Sequence, residues 1–262
     1  MPEGHTVHRN ARDHQKYFKG QTVELSSPQG RFVGIDDLRG AAIEQVDAYG
    51  KHEFIRFDND LLIHIHLGLF GKFRMHGNLP APDPVGAVRL RIVGHRTAID
   101  LSGPTACDVG TDELYESIAA RLGPDPLRKD ADVAKFVARV AKSKKSIGQL
   151  LMDQAVIAGV GNVYRAEALF VNHIWPERAG ADLSDDERLA IWTTTVRMLE
   201  AGVKAGKIVT IAKTDPDLPA NARAADKRTY VYKRDHCLRC ATAIRRWDMA
   251  GRWCYACPTC QT

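Results

Sequence analysis

Cysteines and one proline carry most of the chemistry legible in this 262-residue sequence. Five of the six cysteines lie in the last 26 residues, and four of them form the pattern Cys237-x2-Cys240, sixteen residues, Cys257-x2-Cys260. Each Cys-x2-Cys turn aims two sulfurs at one point, and two such turns complete a tetrahedron suited to one Zn2+ ion. Four thiolates leave no open coordination position, so the ion is structural. The alternative is a pair of disulfides, which a reducing compartment disfavours. Cys254 stands three residues before Cys257 and could compete as a ligand, whereas Cys107 reads as a small buried residue. Arg245, Arg246 and Arg252 lie between the two cysteine pairs. A metal-stiffened hairpin carrying arginines suits contact with phosphate or entry into a groove of nucleic acid.

The second chemical feature is the start Met1-Pro2-Glu3-Gly4. Methionine before a small residue is commonly removed, which would leave Pro2 as a secondary amine. An α-amino group titrates near pH 8, so far more of it is neutral at pH 7 than of a lysine. Attack of a secondary amine on an aldehyde-level carbon gives a charged iminium directly, a good electron sink for elimination. Glu3 beside it could act as general acid or base. If Met1 stays, the Pro2 nitrogen is an amide and cannot attack. A third feature is the stretch Gln154 to Tyr164, in which Gly159 and Gly161 permit a tight turn. Asn162 stands near the start of the following helix, where exposed amides and its side chain would seat a phosphate. An ordinary helix-to-helix turn reads equally well from these residues alone.

The elements that must position these groups follow from patterning. Residues 3–19 read as a helix with Val7, Ala11, His14 and Phe18 on one face and Gly20 just past its end. Short β-rich runs follow at Thr22–Leu25, Ile43–Ala48, Glu53–Phe57, Leu61–Leu67, Val88–Val93 and Thr97–Leu101, separated by turn residues, which suggests a sandwich or barrel. Helical spacing takes over at Leu114–Leu122, Val133–Ala141, Ile147–Met152, Val163–Val171 and Asp185–Ala205. Gly123-Pro124-Asp125-Pro126 reads as a linker, and the polar, Ala-rich residues 214–227 as a mobile loop. The net charge is +5. Residues 204–262 hold twelve Lys/Arg against five Asp/Glu, net +7, leaving −2 on the first 203. A basic C-terminal segment fits a nucleic-acid partner. Apolar runs fall far short of a membrane span, and no secretory leader is evident.

Taken together these residues resemble the formamidopyrimidine-DNA glycosylase / endonuclease VIII family over nearly the whole chain. The resemblance rests on Met1-Pro2-Glu3-Gly4, Gly50-Lys51, His66-Leu67-Gly68, Gly159-Val160-Gly161-Asn162-Val163-Tyr164 with Glu167-Ala168-Leu169-Phe170, and the finger from Gly251-Arg252 to Cys257-Pro258-Thr259-Cys260-Gln261. It implies an α+β multidomain fold. An N-terminal helix plus β-sandwich would span 1–112, a linker 113–130, a helix–two-turn–helix domain 131–232 and a zinc-finger β-hairpin 233–262. It further implies a bifunctional DNA glycosylase and abasic-site lyase. Pro2 would attack C1′ of the damaged nucleotide, with Glu3 as its proton-transfer partner. Lys51, His66, Asn162 and Arg252 would hold phosphates around the lesion, and Leu69 with Phe70 would fill the hole left by the extruded base. The neighbouring His64 reads as structural or surface-exposed.

Pro-Glu-Gly points to the endonuclease VIII branch, and within it the second actinobacterial paralogue. The Asp-Pro-Arg-Arg-Phe-Gly segment of the 8-oxoguanine branch is replaced by Asp100-Leu101-Ser102-Gly103-Pro104-Thr105. Thr214-Asp215-Pro216-Asp217-Leu218-Pro219 stands in place of the loop that caps 8-oxoguanine. The substrate expected is therefore an oxidised pyrimidine. Departures remain: Thr6 where the branch has a carboxylate, and Gly68 where a wedge glutamine would stand. The expected partner is damaged DNA, with no membrane, a monomeric state and a cytoplasmic, nucleoid-associated location. The alternatives are a non-catalytic damaged-DNA-binding protein on the same scaffold and, against the basic finger, a tautomerase-like enzyme using Pro2 on a small molecule.

Overall fold

The computed structural model describes residues 2–212, 215–218 and 228–262. Most of the loop expected over 214–227 therefore lies outside the described residues, as does Met1. The chain divides into two compact units, Met1–Arg121 and Leu122–Thr262.

The first unit opens with α1 (Gly4–Phe18), whose Val7, Ala11, His14 and Phe18 are all buried, as their spacing requires. Eight strands follow: β1 (Glu24–Ser26), β2 (Ile43–Tyr49), β3 (His52–Phe57), β4 (Leu62–His66), β5 (Lys72–His76), β6 (Val88–Val93), β7 (Ala98–Ser102) and β8 (Ala106–Gly110). They make two antiparallel four-stranded sheets, ordered β1-β6-β7-β5 and β2-β3-β4-β8. Period-two alternation puts Leu90, Ile92, Ile99 and Leu101 of one sheet and Ile55, Phe57, Ile63 and Ile65 of the other into one core with the apolar face of α1. The sandwich expected from the sequence is the fold observed. Strands β5 and β8 lack a sequence signal for a physical reason. Both lie at sheet edges, and they offer the core only Phe73, Cys107 and Val109. A buried His14 Nδ1···Glu53 Oε1 contact of 2.5 Å fastens α1 to β3. Helix α2 (Asp112–Ala119) covers the outer face of the second sheet, with Tyr115 edge-on to Phe54 at 4.9 Å and the Arg56 guanidinium 4.7 Å over the Tyr115 ring.

The second unit is helical and ends in a hairpin. Its helices are α3 (Val133–Ala141), α4 (Ile147–Leu150), α5 (Asn162–Val171) and α6 (Asp185–Ala205). Side chains of Asp132, Ser146 and Ser184 accept N3 amides to start α3, α4 and α6, and Ser184 with Glu187 forms a reciprocal capping box. Phe136, Val140, Ile147, Leu151, Ile157, Leu169, Ile191 and Leu199 form their common core. Strands β9 (Arg245–Met249) and β10 (Arg252–Ala256) pair antiparallel. Leu122–Pro126, which takes in the Gly123–Pro126 stretch read from the sequence as a linker, is buried. The Gly123 amide donates to the Gln154 carbonyl at 2.8 Å, and Pro124 accepts from Ala158 at 3.0 Å. Prolines and glycine there satisfy a tight approach of two backbones rather than a free tether. Among the described residues no helix is long and apolar enough to cross a membrane.

Candidate nucleic-acid interface and metal centre

In the first unit Pro2 is half-buried and directly precedes Glu3, the N-cap of α1, which is fully buried. The Glu3 carbonyl accepts the Thr6 and Val7 amides, so the helix itself sets where Pro2 leaves it. The positive end of the helix dipole favours a carboxylate at this position. His5, one turn inside, is buried, and that burial pushes its imidazole down to about 4.

Lys51 lies in the turn joining β2 to β3, and His66 ends β4. Strand register sets His52 opposite His66, so Lys51, His52 and His66 gather at one end of the sheet. The His52 ring lies 4.7 Å from His66 and 5.1 Å from His64, and a 2.9 Å hydrogen bond joins His52 Nδ1 to His64 Nε2. Burial, followed by the charge of Lys51, holds His66 below the usual imidazole range. His52 falls to about 3 through burial and then the neighbouring His66, His64, Arg121 and Lys51. Burial also lowers His64, against the opposing carboxylate of Asp108 3.6 Å away. His64 is thus a buried structural residue, one of the two readings its sequence position allowed.

These shifts carry a pH dependence. The unfolded imidazoles take up protons below about pH 6.5, while the folded ones stay neutral to lower pH. Stability from this stack is therefore full above pH 6.5 and is lost as pH falls toward the folded values. The depressed carboxyl of Asp100, held by Arg91 and His76, acts in the same direction but only below the carboxylate range. Urea midpoints should thus fall between pH 7 and pH 5 in the wild type, and fall less in His52→Gln. Equal pH slopes for the two proteins would refute the stack as their source.

Leu69 and Phe70 occupy the turn after β4, with Phe70 84% exposed and Leu69 47%. Such exposure in a sheet-end turn contradicts a core role and leaves both side chains available to intercalate. The glycine that replaces a wedge glutamine has a local cause. Gly68 has φ +64, and a Cβ there would lie 1.8 Å from Thr105 Oγ1. That threonine is held by its amide donating to His66 O at 2.8 Å.

In the second unit the turn before α5 and the finger hairpin meet. Asn162 is buried, and its Nδ2 donates to the Trp253 carbonyl at 3.0 Å. Arg165, one turn further along α5 and 1% exposed, donates from Nη2 to the same carbonyl at 3.0 Å and to Asn162 Oδ1. The side chain expected to seat a phosphate thus also has protein partners, the Trp253 carbonyl and Arg165. Trp253 directly follows Arg252, so the Asn162–Arg165 clip sets the position of that arginine. Arg252 is exposed and leaves a two-residue turn in which Ala250 and Gly251 both have positive φ (54° and 76°), the geometry that matches hairpin twist. Arg165 was missed by sequence reasoning. Its one signal was the i, i+3 spacing from Asn162 on a helix.

The four expected cysteines converge, with sulfurs all within 4.8 Å of one another. The sulfur separations are 3.9 Å for Cys237–Cys260, 3.4 Å for Cys240–Cys257 and 3.5 Å for Cys240–Cys260. A tetrahedral Zn–S4 centre with bonds near 2.3 Å has sulfur–sulfur edges of about 3.8 Å, so the donor set fits the ion. Cys254 stands outside the cluster and is fully buried, its thiol raised by that burial. Cys107 is likewise buried on β8 and raised to about 12. Gln261 locks the second knuckle: its Oε1 accepts the Cys257 amide at 2.9 Å, and its Nε2 donates to Ile174 O at 2.8 Å.

A helix-led β-sandwich, a helix–two-turn–helix unit and a four-cysteine hairpin define an enzyme class, the DNA glycosylase / abasic-site lyases of base excision repair. The chain belongs to the formamidopyrimidine-DNA glycosylase / endonuclease VIII family: the model of the formamidopyrimidine-DNA glycosylase N-terminal domain matches residues 1–101, and that of its H2TH domain residues 122–214. It is 44% identical to a Mycobacterium tuberculosis protein named Endonuclease 8 1 and 32% identical to a Mycobacterium bovis protein named Endonuclease 8 2, each over the full length of both chains. Of these two paralogues the first shares more residues with it. The fold matches that of Lactococcus lactis formamidopyrimidine-DNA glycosylase non-covalently bound to abasic-site DNA, with a TM-score of 0.78, 24% identity and 99% of each chain covered.

Proposed function

We propose that this enzyme removes oxidised pyrimidines from DNA and nicks the strand by β,δ-elimination through a Schiff base on Pro2. The observation that carries the reading is the Pro2–Glu3 pair: a secondary amine, once Met1 is removed, emerges from a buried helix start beside a buried carboxyl. The neutral Pro2 nitrogen adds to C1′ as the damaged base leaves with a proton. The ring opens to an iminium, which acidifies the C2′ hydrogen. Loss of that proton expels the 3′ phosphate, a second elimination expels the 5′ phosphate, and water then releases Pro2. Glu3 serves as the proton carrier at the sugar. Lys51 and His66 from the first unit, and Arg252 and the α5 start from the second, hold backbone phosphates; such contacts position the sugar without reading sequence. Leu69 and Phe70 enter the base stack as the damaged nucleotide leaves it.

The pyrimidine preference is supported by the segment replacing Asp-Pro-Arg-Arg-Phe-Gly. Here Asp100 is buried on β7, paired with Arg91 and His76 within the sandwich. A panel of oligonucleotides carrying thymine glycol, dihydrouracil or 8-oxoguanine, single- and double-stranded, tests the preference. Faster release of 8-oxoguanine than of either pyrimidine would overturn it.

The ion held by Cys237, Cys240, Cys257 and Cys260 is proposed to be a single Zn2+, which supplies structure and no chemistry. A chelator strong enough to strip it should abolish DNA binding, because the hairpin presenting Arg252 loses its staple. Arg252→Ala should instead lose DNA affinity while retaining one equivalent of zinc. Zinc loss in that variant would refute the phosphate role. The four-part division at 112, 130 and 232, a monomeric state and a nucleoid-associated cytoplasmic location complete the proposal. They are supported by the motif order and the basic C-terminal segment.

A further inference from the structure

We propose that the outer face of the finger hairpin is a second nucleic-acid site, which takes one single-stranded segment apart from the contact made by Arg252. The inference rests on the reading of the chain as a DNA-processing enzyme. Strand register divides the hairpin into two faces. Arg252 shares one with Met249, Trp247 and Cys254; Trp253 shares the other with Asp248, Arg246 and Tyr255. The first face is buried against the helical unit at Met249, Cys254 and Ala256. Its aromatic groups are already engaged with one another. Trp175 and Trp247 stack at 5.2 Å with planes 17° apart, and Arg245 lies 5.4 Å from the Trp175 centroid.

The second face is different. A groove of about 640 Å³ runs between residues 233–235 and the hairpin, lined by Lys233, Arg234, Asp235, Ile244, Arg246 and Tyr255. Three cations face one carboxylate, and among the described residues none of the three enters an ion pair. Arg234 donates from Nε to the Thr229 carbonyl, and Lys233 lies 5.8 Å from the Tyr232 centroid, but these contacts neutralise no charge, and cations along a groove are what a phosphodiester backbone requires. Aromatic surface interleaves with them. Trp253 is 52% exposed, and the Arg246 guanidinium lies 4.8 Å over its ring, holding the indole flat. Tyr255 forms the floor against Tyr232, ring to ring at 5.1 Å. Cations that track a backbone beside rings that stack bases are the general recipe for binding single strands. An acidic peptide would use the charges but not the half-exposed indole, so the nucleic-acid strand is the better fit.

The test uses the full-length zinc-loaded protein, with fluorescence anisotropy on a short undamaged oligothymidine across a salt series. The Lys233→Ala/Arg246→Ala protein should bind about tenfold more weakly, with a salt slope shallower by about 1.4, two phosphates' worth on a single strand. Trp253→Ala should weaken binding about fivefold or more, and Trp253→Phe should retain it. Trapping of abasic-site duplex at saturating protein should not change in Trp253→Ala or Trp253→Phe. Equal oligothymidine affinity in wild type and the double variant would overturn the site. So would displacement of the oligonucleotide by inorganic polyphosphate as readily from Trp253→Ala as from wild type. A parallel loss of duplex trapping would merge the groove with the Arg252 contact and overturn its separateness. A Lys233→Gln/Arg246→Gln pair with unchanged zinc content and urea midpoint guards against misfolding. Failure of the catalytic reading would be seen differently, as no adduct in any protein, wild type included.

Discussion

A protein that keeps Met1 should form no borohydride-trapped adduct with abasic-site DNA, yet bind that DNA as tightly as the processed chain. The reason lies in one nitrogen. With Met1 removed, Pro2 carries a secondary amine whose pKa near 8 leaves about one molecule in ten neutral at pH 7. With Met1 retained, the same atom is an amide, its lone pair delocalised into the carbonyl, and it cannot add to C1′. A lysine of ordinary pKa would be a far poorer substitute, since it is neutral in only about one molecule in a few thousand at that pH. The loss of strand nicking should therefore be at least about two-hundredfold, the ratio of those neutral fractions. Affinity should survive because the proposed phosphate contacts of Lys51, His66 and Arg252 do not involve the amine. Mass spectrometry of the N-terminus sorts the two preparations, and Pro2→Gly supplies an intermediate case, since it restores a primary amine. Full trapping by the Met1-retaining chain would remove Pro2 from the mechanism and leave the non-catalytic or lysine-based readings.

Glu167→Ala should cost about 3–5 kcal/mol of stability and loosen the finger along with it. Glu167 is fully buried on α5 and accepts four hydrogen bonds: Thr210 Oγ1 at 2.5 Å and the amides of Tyr230 at 2.5 Å, Val231 at 2.9 Å and Tyr232 at 2.9 Å. Burial pushes its carboxyl above the ordinary range, and the four donors oppose that. Removing the carboxylate strands the amides of Tyr230, Val231 and Tyr232 at once, while Thr210 Oγ1 can turn to the Arg228 carbonyl 3.0 Å away, and the segment they tether leads directly to Cys237. Against a total stability of roughly 5–15 kcal/mol such a loss is large. Glu167→Gln should fall between wild type and alanine, because the amide oxygen still accepts while its NH2 opposes backbone N–H groups. The readouts are the urea midpoint and the zinc affinity. An unchanged midpoint in the alanine variant would mean that residues 230–232 are held by other contacts. One such contact is visible: Arg239, inside the first knuckle, donates to Asp215 at 3.0 Å and lies over the Phe170 and Tyr230 rings.

Particular residues show how far patterning reached. The face of α1 was legible because helical spacing leaves Val7, Ala11, His14 and Phe18 no other environment. Helix α6 was legible to the residue, since Ser184 and Glu187 spell a capping box. Strands β5 and β8 were not, because an edge strand buries too little to impose alternation. Gly123–Pro126 looked like a linker, because glycine and proline serve a buried backbone crossing as well as an exposed connection.

The cysteine set, the Pro2–Glu3 start and the Asn162 turn were legible in the sequence alone, since each is a local grouping whose chemistry is written in residue type and spacing; Lys51 and His66 were singled out by the resemblance to the family. Only the tertiary structure decided what those groups do to one another. It gave the Asn162 side chain the Trp253 carbonyl as a partner, added Arg165 on the same carbonyl, and put the Arg246 guanidinium over the Trp253 ring. It also stacked His52 on His64 and set it beside His66, which no spacing along the chain could specify. Those relations depend on strand register and on which backbone carbonyl lies within reach of a buried donor, and both are set by packing between segments distant in sequence.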